Sequence, residues 1–383
     1  MQELSGDIVR LIAREAAALP VSRFGQEPVH IQQLLAVCRL WRAVSLPVYC
    51  ASITVCTSAD RRALYWARKG LSSAKAHSLG WQMYARQALV VVSGREALDK
   101  PCAVISALRG VFLRISRVKL HLMTNPGPAF KALNAVFPAM REMKLEATNA
   151  QILHTMDAPI SSLTHVEVTS CPAFRLSAAS AIAAPLPSLR TLVLGLAGSN
   201  VSDALAFARQ HAASLVRLEV KYIRVRDCAG LVLDEQNRLV EYTHVEVLKL
   251  DVLGAYDERS LAQRVAIPGT PFPSLCYLNC GAMYPFANSV LLRGALPTLR
   301  VLIIAMDMQV ASWLLPDATC LRKYARLAGM EARIVSRAAA EDSQNLAVRA
   351  RVLDAAFQAP QLLWLRIRSP NALVAEFCSK LKN

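Results

Sequence analysis

The cysteines are the residues of this 383-residue chain best suited to bind a metal ion or to act as nucleophiles. Cys276 and Cys280 form the closest pair, with three residues between them, and no second Cys or His pair at zinc-finger spacing accompanies them. The remaining cysteines are scattered along the chain. This spacing favours free thiols in a reducing compartment, and we predict neither a metal site nor a bound cofactor.

The 7 histidines are candidates for general acid–base catalysis, but they are isolated from one another in the sequence. His121, His165 and His244 fall in or beside apolar strand patterns, where an ordinary polar position accounts for them. The 28 Asp and Glu residues form no paired cluster, and no nucleophile elbow, zinc-protease or phosphate-loop motif is present. We therefore predict that the protein is not an enzyme.

Positive charge dominates the chain, whose formal net charge is +16. Residues 58–120 alone carry 12 Lys and Arg against 3 Asp and Glu. Such a segment can attract nucleic acid or an acidic partner by long-range electrostatics, or it can form a solvated helix face that keeps an apolar protein soluble. No nucleic-acid-binding motif accompanies the charge, which favours the solvated face.

Trp364, Arg366 and Arg368 form the most binding-like cluster in the sequence. Trp and Arg are frequent anchors of protein interfaces, and residues that alternate along a strand project from one face. A solvated sheet edge is the alternative interpretation.

An internal repeat supplies the elements that position these residues. Five segments share the pattern apolar-Pro-x-Leu-x-x-Leu-x-apolar, with Met in place of Leu in one of them, and three further copies lack the Pro. The eight copies end, in chain order, at these apolar residues: Leu145, Val168, Leu194, Val220, Leu250, Cys280, Ile304 and Ile367. Fainter copies end at Val55, Val91, Leu120 and Ile334, so the repeat length is 23 to 36 residues.

The repeat unit predicts a strand followed by a helix. Leu-x-Leu places two side chains on one face of a short strand, and the Pro stands where the preceding helix must end. Between the strands lie segments rich in Ala, Leu and Arg, such as 202–213, in which Leu205 and Ala208 share one helical face. Successive strand–helix units predict an α/β solenoid with a parallel inner sheet.

This pattern resembles the leucine-rich repeat, so we expect an irregular leucine-rich-repeat-like horseshoe over residues 57–383. It departs from that family at the Asn that usually closes the loop after the strand, which is Ala197 in one copy and is missing from most others. A parallel α/β enzyme is the structural alternative, and the lack of any Gly-rich phosphate loop after a strand argues against it.

The resemblance implies that the concave sheet binds a protein. By alternation, its outward positions are Lys119, Lys144, Glu167, Val193, Glu219, Lys249, Asn279, Ile303 and Arg366. Mixed charges with apolar breaks suit a protein surface better than a phosphate backbone. The residues predicted to contact a protein substrate are Lys144, Glu167, Glu219, Lys249, Asn279, Trp364, Arg366 and Arg368.

Residues 1–56 follow a different pattern. Ile8 and Ile12 lie at helical spacing behind Ser5 and Asp7, which can cap a helix, and a polar stretch over 20–29 ends this element. Residues 31–44 predict a second helix and the start of a third. The apolar spacing and the run Val-Cys-x-x-Trp-x-x-Val resemble an F-box, carried here by Leu4, Ile8, Ile12, Leu35, Val37, Cys38, Trp41 and Val44.

Fungal F-box proteins with irregular leucine-rich repeats combine the two modules, and the likeness to them implies a function. The chain would be the substrate-recognition subunit of an SCF-type ubiquitin ligase, whose F-box docks on a Skp-type adaptor and thereby on a cullin complex. The adaptor contacts implied are Leu4, Ile8, Ile12, Leu35, Val37, Cys38 and Trp41. Two alternatives remain open, a repeat scaffold whose N-terminal helices form only a cap and a nucleic-acid-associated solenoid that uses residues 58–120.

The longest uncharged stretch, 265–292, is interrupted by four prolines and cannot form one spanning helix. Glu3 and Asp7 stand where a secretory signal would be basic. We therefore expect a soluble protein located in the cytoplasm or the nucleus.

Overall fold

A computed structural model of the protein divides into two units, residues 1–188 and residues 189–383. The residues that the structure describes are 5–18, 37–49, 52–56, 86–92, 114–122, 137–147, 162–169, 186–196, 201–224, 227–253, 271–282, 298–306, 321, 324–334, 342–359, 361–369 and 372–378. The predicted domain boundary after residue 56 stays a prediction.

The described part of the first unit begins with two helices, α1 (Gly6–Ala18) and α2 (Arg39–Tyr49). The backbone N–H of Val9 donates to the carbonyl of Ser5 at 3.2 Å and closes the first turn of α1. Val9 and Ala13 lie on one side of α1 and are fully buried, because their spacing of four residues places them one above the other. The two helices contact each other, and a Cβ atom added at Gly6 would lie 4.0 Å from Val44.

The strands of the first unit follow one another along the chain and pair in parallel. They are β1 (Ser52–Cys56), β2 (Gln87–Val92), β3 (Arg117–Leu122), β4 (Glu142–Ala147) and β5 (His165–Thr169). Each strand pairs with the next in sequence, from β1 with β2 to β4 with β5. Parallel neighbours need a crossover between them, so each strand adds one turn to a solenoid.

The second unit continues the same scheme with more strands. They are β6 (Thr191–Gly195), β7 (Arg217–Arg224), β8 (Val247–Leu253), β9 (Tyr277–Ala282), β10 (Val301–Met306), β11 (Gly329–Ile334), β12 (Trp364–Ser369) and β13 (Ala372–Cys378). The pairs from β6–β7 to β11–β12 are parallel, and β13 returns antiparallel to β12.

Three helices are described between the strands of the second unit. They are α3 (Val201–Gln210) before β7, α4 (Ala229–Val232) before β8 and α5 (Asp342–Phe357) before β12. Leu205 and Ala208 of α3 are both buried, which confirms the helical face predicted within 202–213. Among the described residues, helices therefore connect fewer strands than the repeat pattern predicts.

The core lies on the side of each sheet to which the Leu-x-Leu positions point. The two apolar residues of every motif from β3 to β12 are buried, for example Leu192 and Leu194 or Leu248 and Leu250. The residue three positions before each motif is buried as well: Ile115, Met140, Leu163, Leu189, Leu215, Val245, Leu275, Leu299, Leu327 and Leu362. Each turn thus contributes three apolar side chains to the core of its own unit.

A regular backbone pattern joins the turns at the start of the strands. The carbonyl of Arg190 accepts the N–H groups of both Val216 and Arg217, at 2.8 and 2.9 Å. The carbonyl of Val216 accepts those of Glu246 and Val247 in the same way, at 2.9 and 3.1 Å. This shared acceptor recurs along both units and fixes the register in which one repeat stacks on the next.

The register corrects two of the predicted repeat ends. Val90, and not Val91, pairs with Val55 and Leu120, so the β2 copy ends one residue earlier. Ala332 pairs with Ile304 and Ile367, so the predicted end at Ile334 is wrong by two residues. Alanine is a weaker marker of a core position than isoleucine, and Ile334 follows Ala332 by two residues on the same face.

The predicted parallel solenoid is confirmed within each unit. The leucine-rich identity of the repeat and the three-helix F-box-like module stay predictions. Leu4 and Leu35 of that module lie outside the described residues.

Candidate functional site

Helix α1 exposes an apolar stripe beside its buried side. Ile8 is 46% exposed, Leu11 59% and Ile12 37%, and their spacing of three and four residues places them on one face. Asp7 and Arg10 are not part of this stripe and form an ion pair with each other, with 3.1 Å between the guanidinium nitrogen and the carboxylate oxygen. Exposed side chains of this size in a row are unusual on a monomeric surface and mark a place where a partner can dock.

The first residues around α2 add to the exposed apolar surface. Val37 is 60% exposed and Leu40 46%, and Cys38 is exposed as well. Trp41 is half-buried. Five of the seven predicted adaptor contacts are therefore described, and four of these are exposed: Ile8, Ile12, Val37 and Cys38.

The second candidate surface is the outward face of the strands, meaning the side opposite the buried Leu positions. In the first unit, this face carries equal numbers of basic and acidic side chains on β3 to β5. Three cross-strand ion pairs, at 2.8, 3.0 and 2.9 Å respectively, join Arg117 to Glu142, Lys119 to Glu146 and Lys144 to Glu167. The outward face of the first unit is thus neutralised by its own side chains.

The outward face of the second unit carries a first charge cluster around Glu219 on β7. The carboxylate lies 3.1 Å from Arg217, 3.4 Å from Lys221 and 3.8 Å from Lys249. We call these four residues the Glu219 cluster. Burial raises the pKa of Glu219, but the hydrogen bond from Arg217 and the charges of the three basic groups outweigh burial and lower this pKa below its ordinary value.

A second cluster, in which three arginines surround one carboxylate, is centred on Glu331 of β11. The Glu331 side chain is only 6% exposed, and its carboxylate lies 2.8 Å from Arg333, 3.3 Å from Arg368 and 3.8 Å from Arg366. We call these residues the Glu331 cluster. A buried carboxylate is stabilised by such cations, and it holds their guanidinium groups in place in return.

Trp364 completes this surface at the start of β12. Gly329 pairs with Trp364 in the register, and a Cβ atom added at Gly329 would overlap the indole ring. The ring therefore lies directly over the Gly329 backbone. Only glycine permits this approach, which holds a half-buried aromatic side chain beside the Glu331 cluster.

The register brings the predicted substrate contacts onto two rows, one in each unit. Lys144 pairs with Glu167 in the first unit, and Glu219, Lys249 and Asn279 are neighbours in the second. Trp364, Arg366 and Arg368 share the outward face of β12.

Sequence reasoning missed Glu331 and Arg333, which lie at the centre of the strongest cluster. A repeat end at Ile334 points to Arg333, and not to Glu331, as the outward position between the two apolar residues, and β11 was absent from the predicted outward row. The copy Tyr324-x-x-Leu327-x-x-Met330-x-Ala332 is the signal that would have placed Glu331 outward.

Among the residues that the structure describes, no group of three or more His, Cys, Asp or Glu side chains could hold a metal ion. Burial raises the pKa of the Cys228 thiol to about 12 and raises that of Cys280 as well, so both thiols stay protonated at neutral pH. None of the described helices is both long and apolar enough to cross a membrane.

Comparison with known proteins adds no assignment: no protein-family model matches the chain, and a search of the curated proteins finds no match.

Proposed function

We propose that this protein is a substrate-recognition subunit of an SCF-type ubiquitin ligase. Its N-terminal helices would dock on a Skp-type adaptor, and the outward strand faces would bind the protein substrate. The observation that carries the proposal is the exposed apolar stripe of α1, because Ile8 and Ile12 are residues that the F-box pattern assigns to the adaptor and both are open to solvent.

The energetics of the stripe support docking. Covering a large aliphatic side chain gains about 1.5 to 3 kcal/mol relative to leaving it in water. Ile8, Leu11 and Ile12 are each more than a third exposed, so a partner that covers them gains a substantial part of that amount from each. A helix pair of this size is marginal when alone, and a partner would add to its stability.

A second candidate function is a repeat scaffold without ligase activity. The outward strand faces favour it to the same degree, since they carry charged side chains suited to a protein partner whether or not an adaptor is bound. The α1 stripe is the feature that separates the two, because a scaffold whose helices serve only as a cap has no use for exposed isoleucines.

Co-expression with a Skp-type adaptor, followed by gel filtration in high salt, tests the proposal. We expect a stoichiometric complex that is lost in the Ile8→Asp, Ile12→Asp double variant. Arg14→Asp is the matched control, because it makes a comparable charge change at an exposed position that lies on a different side of α1 from Ile8 and Ile12. Circular dichroism of each variant reports whether the fold is retained.

A folded wild-type protein that ignores the adaptor would overturn the ligase proposal and leave the scaffold. Loss of the complex in Arg14→Asp as well would show that charge, and not the apolar stripe, decides the interaction, which would also contradict the proposal.

A further inference from the structure

The outward face of the second unit is basic, whereas that of the first unit is balanced. On β6 to β12 this face carries the following charged side chains: Arg217, Lys221, Lys249, Arg333, Arg366 and Arg368 against Glu219, Asp251 and Glu331. In the backbone register, β13 adds Glu376 opposite Arg366. A net positive charge remains on this face, while three basic and three acidic side chains cancel on β3 to β5.

The excess is concentrated in the two clusters, each of which holds three cations around one carboxylate. Glu219 is 16% and Glu331 6% exposed at the side chain, whereas the cations around them are between 33% and 48% exposed. The carboxylates therefore lie below the surface and the cations present it. In the register Asp251 lies opposite Lys221 and Glu376 opposite Arg366, so each cluster together with this neighbour keeps a net charge of about +1 on a preorganised site.

The separation of the two clusters follows from the sheet. Glu219 lies on β7 and Glu331 on β11, four strand steps apart in the same row of the register. Neighbouring strands are about 4.8 Å apart, so the two carboxylates are separated by about 19 Å along the row. Asn279 and Ile303 lie between them, which leaves the middle of the row uncharged.

We infer that the outward face of the second unit binds an extended acidic segment of a partner protein, a statement that rests on the protein recognition proposed above. An extended chain advances about 3.3 Å per residue, so the separation corresponds to acidic side chains about six residues apart. The middle of the row carries no charge and Ile303 is only 9% exposed there, so the partner residues between the acidic groups need no charge of their own. Trp364 over Gly329 provides an aromatic anchor beside the Glu331 cluster.

The same geometry disfavours nucleic acid on this face. A phosphate backbone carries closely and evenly spaced charges, and a surface that binds it presents Lys and Arg continuously along its path. Here the cations come in two groups separated by Asn279 and Ile303, and a carboxylate lies at the centre of each group. Spaced carboxylates on a polypeptide fit this pattern, and a continuous row of phosphates does not.

Fluorescence anisotropy of the full chain with two fluorescein-labelled peptides tests the inference. One peptide carries two pairs of glutamates about six residues apart with a leucine between them, and the other has the same composition with its glutamates contiguous. We expect the spaced peptide to bind about tenfold more tightly, because only this peptide reaches both clusters at once. Equal affinity for the two peptides would overturn the inference.

Substitutions test whether the peptide binds to the outward face of the second unit. We expect Arg217→Gln and Arg366→Gln each to weaken binding of the spaced peptide about fivefold, since each removes a charge from one cluster. Arg117→Gln is the matched control, because Arg117 pairs with Glu142 on the outward face of the first unit, and binding should stay within about twofold. Unchanged binding in both cluster variants would contradict the inference, as would tighter binding of a single-stranded DNA of equal charge.

The adaptor complex, measured on the same preparations, keeps the two proposals separate. The cluster variants should retain it, because it depends on α1. Peptide binding without an adaptor complex overturns the ligase and leaves the acidic-segment site. An adaptor complex without peptide binding does the reverse.

Discussion

At the scale of single residues, the second unit buries polar side chains, and the free energy of burying each one depends on whether it has a hydrogen-bond partner. Tyr242 is fully buried, stacks on Phe272 with ring centres 4.9 Å apart, and donates its hydroxyl to the carbonyl of Leu231 at 2.8 Å. Burial raises the pKa of this hydroxyl, so it stays a donor at any physiological pH. This bond ties α4 to the turn before β8.

Tyr242→Phe removes the donor and leaves the Leu231 carbonyl buried without it. We expect the free energy of unfolding to fall by about 1 to 3 kcal/mol, the cost of an unsatisfied buried acceptor. Urea unfolding followed by circular dichroism measures the change. Tyr222→Phe is the control, because Tyr222 is 43% exposed and the same change there should cost less than about 0.5 kcal/mol. Equal effects at the two tyrosines would contradict this account.

His211 follows α3 and gives the second unit a dependence on pH. Its side chain is buried against Phe207, with ring centres 4.7 Å apart, and its Nε2 has no hydrogen-bond partner. Burial lowers the pKa of His211 from 6.5 to about 4. Between these values the unfolded chain binds the proton and the folded protein does not, so stability falls as the pH decreases through this window.

The full shift corresponds to about 3 kcal/mol lost on going from above pH 6.5 to about pH 4. His211→Gln has no titrating group, so we expect its free energy of unfolding to decrease less over the same range, by up to that amount. Urea unfolding of both proteins across the window measures the difference. Parallel pH profiles would show that His211 titrates normally in the folded protein.

At the scale of elements, β11 and β12 depend on the close approach of Trp364 to the Gly329 backbone. Gly329→Ala places a methyl group where the indole ring lies. We expect a loss of about 1 to 3 kcal/mol in the free energy of unfolding and a change in the tryptophan fluorescence of the folded state, because the ring must move. Gly6→Ala is the control, since its added Cβ meets Val44 at 4.0 Å, an ordinary contact.

The strands were predictable because a period of two and a buried Leu-x-Leu leave little choice of face. Leu192 and Leu194 illustrate this, and the neighbouring outward position then follows by alternation. Ala332 shows where this prediction fails. It occupies the core position between Ile304 and Ile367, but an alanine in the sequence does not mark a core position as a large aliphatic residue does. The Glu331 cluster was missed for that reason.

The contrast between the two outward faces was not predictable from the list of outward residues. Lys144 and Glu167 are predicted neighbours on adjacent strands, and so are Lys249 and Glu219, so the sequence pattern does not distinguish the two pairs. The difference depends on which side chains surround one carboxylate, and this requires the register of several strands at once. The charge clusters therefore form only when several repeats stack, because each cluster combines side chains from more than one strand.

At the scale of the whole molecule, a solenoid couples each repeat mainly to its neighbours. Leu218 and Leu248 pair in the register of β7 and β8 and are both fully buried, so a cavity made at one is felt at the other. Leu145 on β4 and Leu365 on β12 are also buried, but they belong to different units. Energetic coupling should follow this difference.

Each Leu→Ala change should cost about 2 to 5 kcal/mol. In double-mutant cycles measured by urea unfolding, we expect Leu145→Ala and Leu365→Ala to add within about 0.5 kcal/mol, while Leu218→Ala and Leu248→Ala deviate from additivity by about 0.5 to 3 kcal/mol. Strong coupling between Leu145 and Leu365, which belong to different units, would mean that the chain does not unfold as a series of neighbouring repeats. If the effects of Leu218→Ala and Leu248→Ala simply add, the core between β7 and β8 relaxes around each cavity separately. In a rigid core that both side chains share, the first cavity would change the cost of the second.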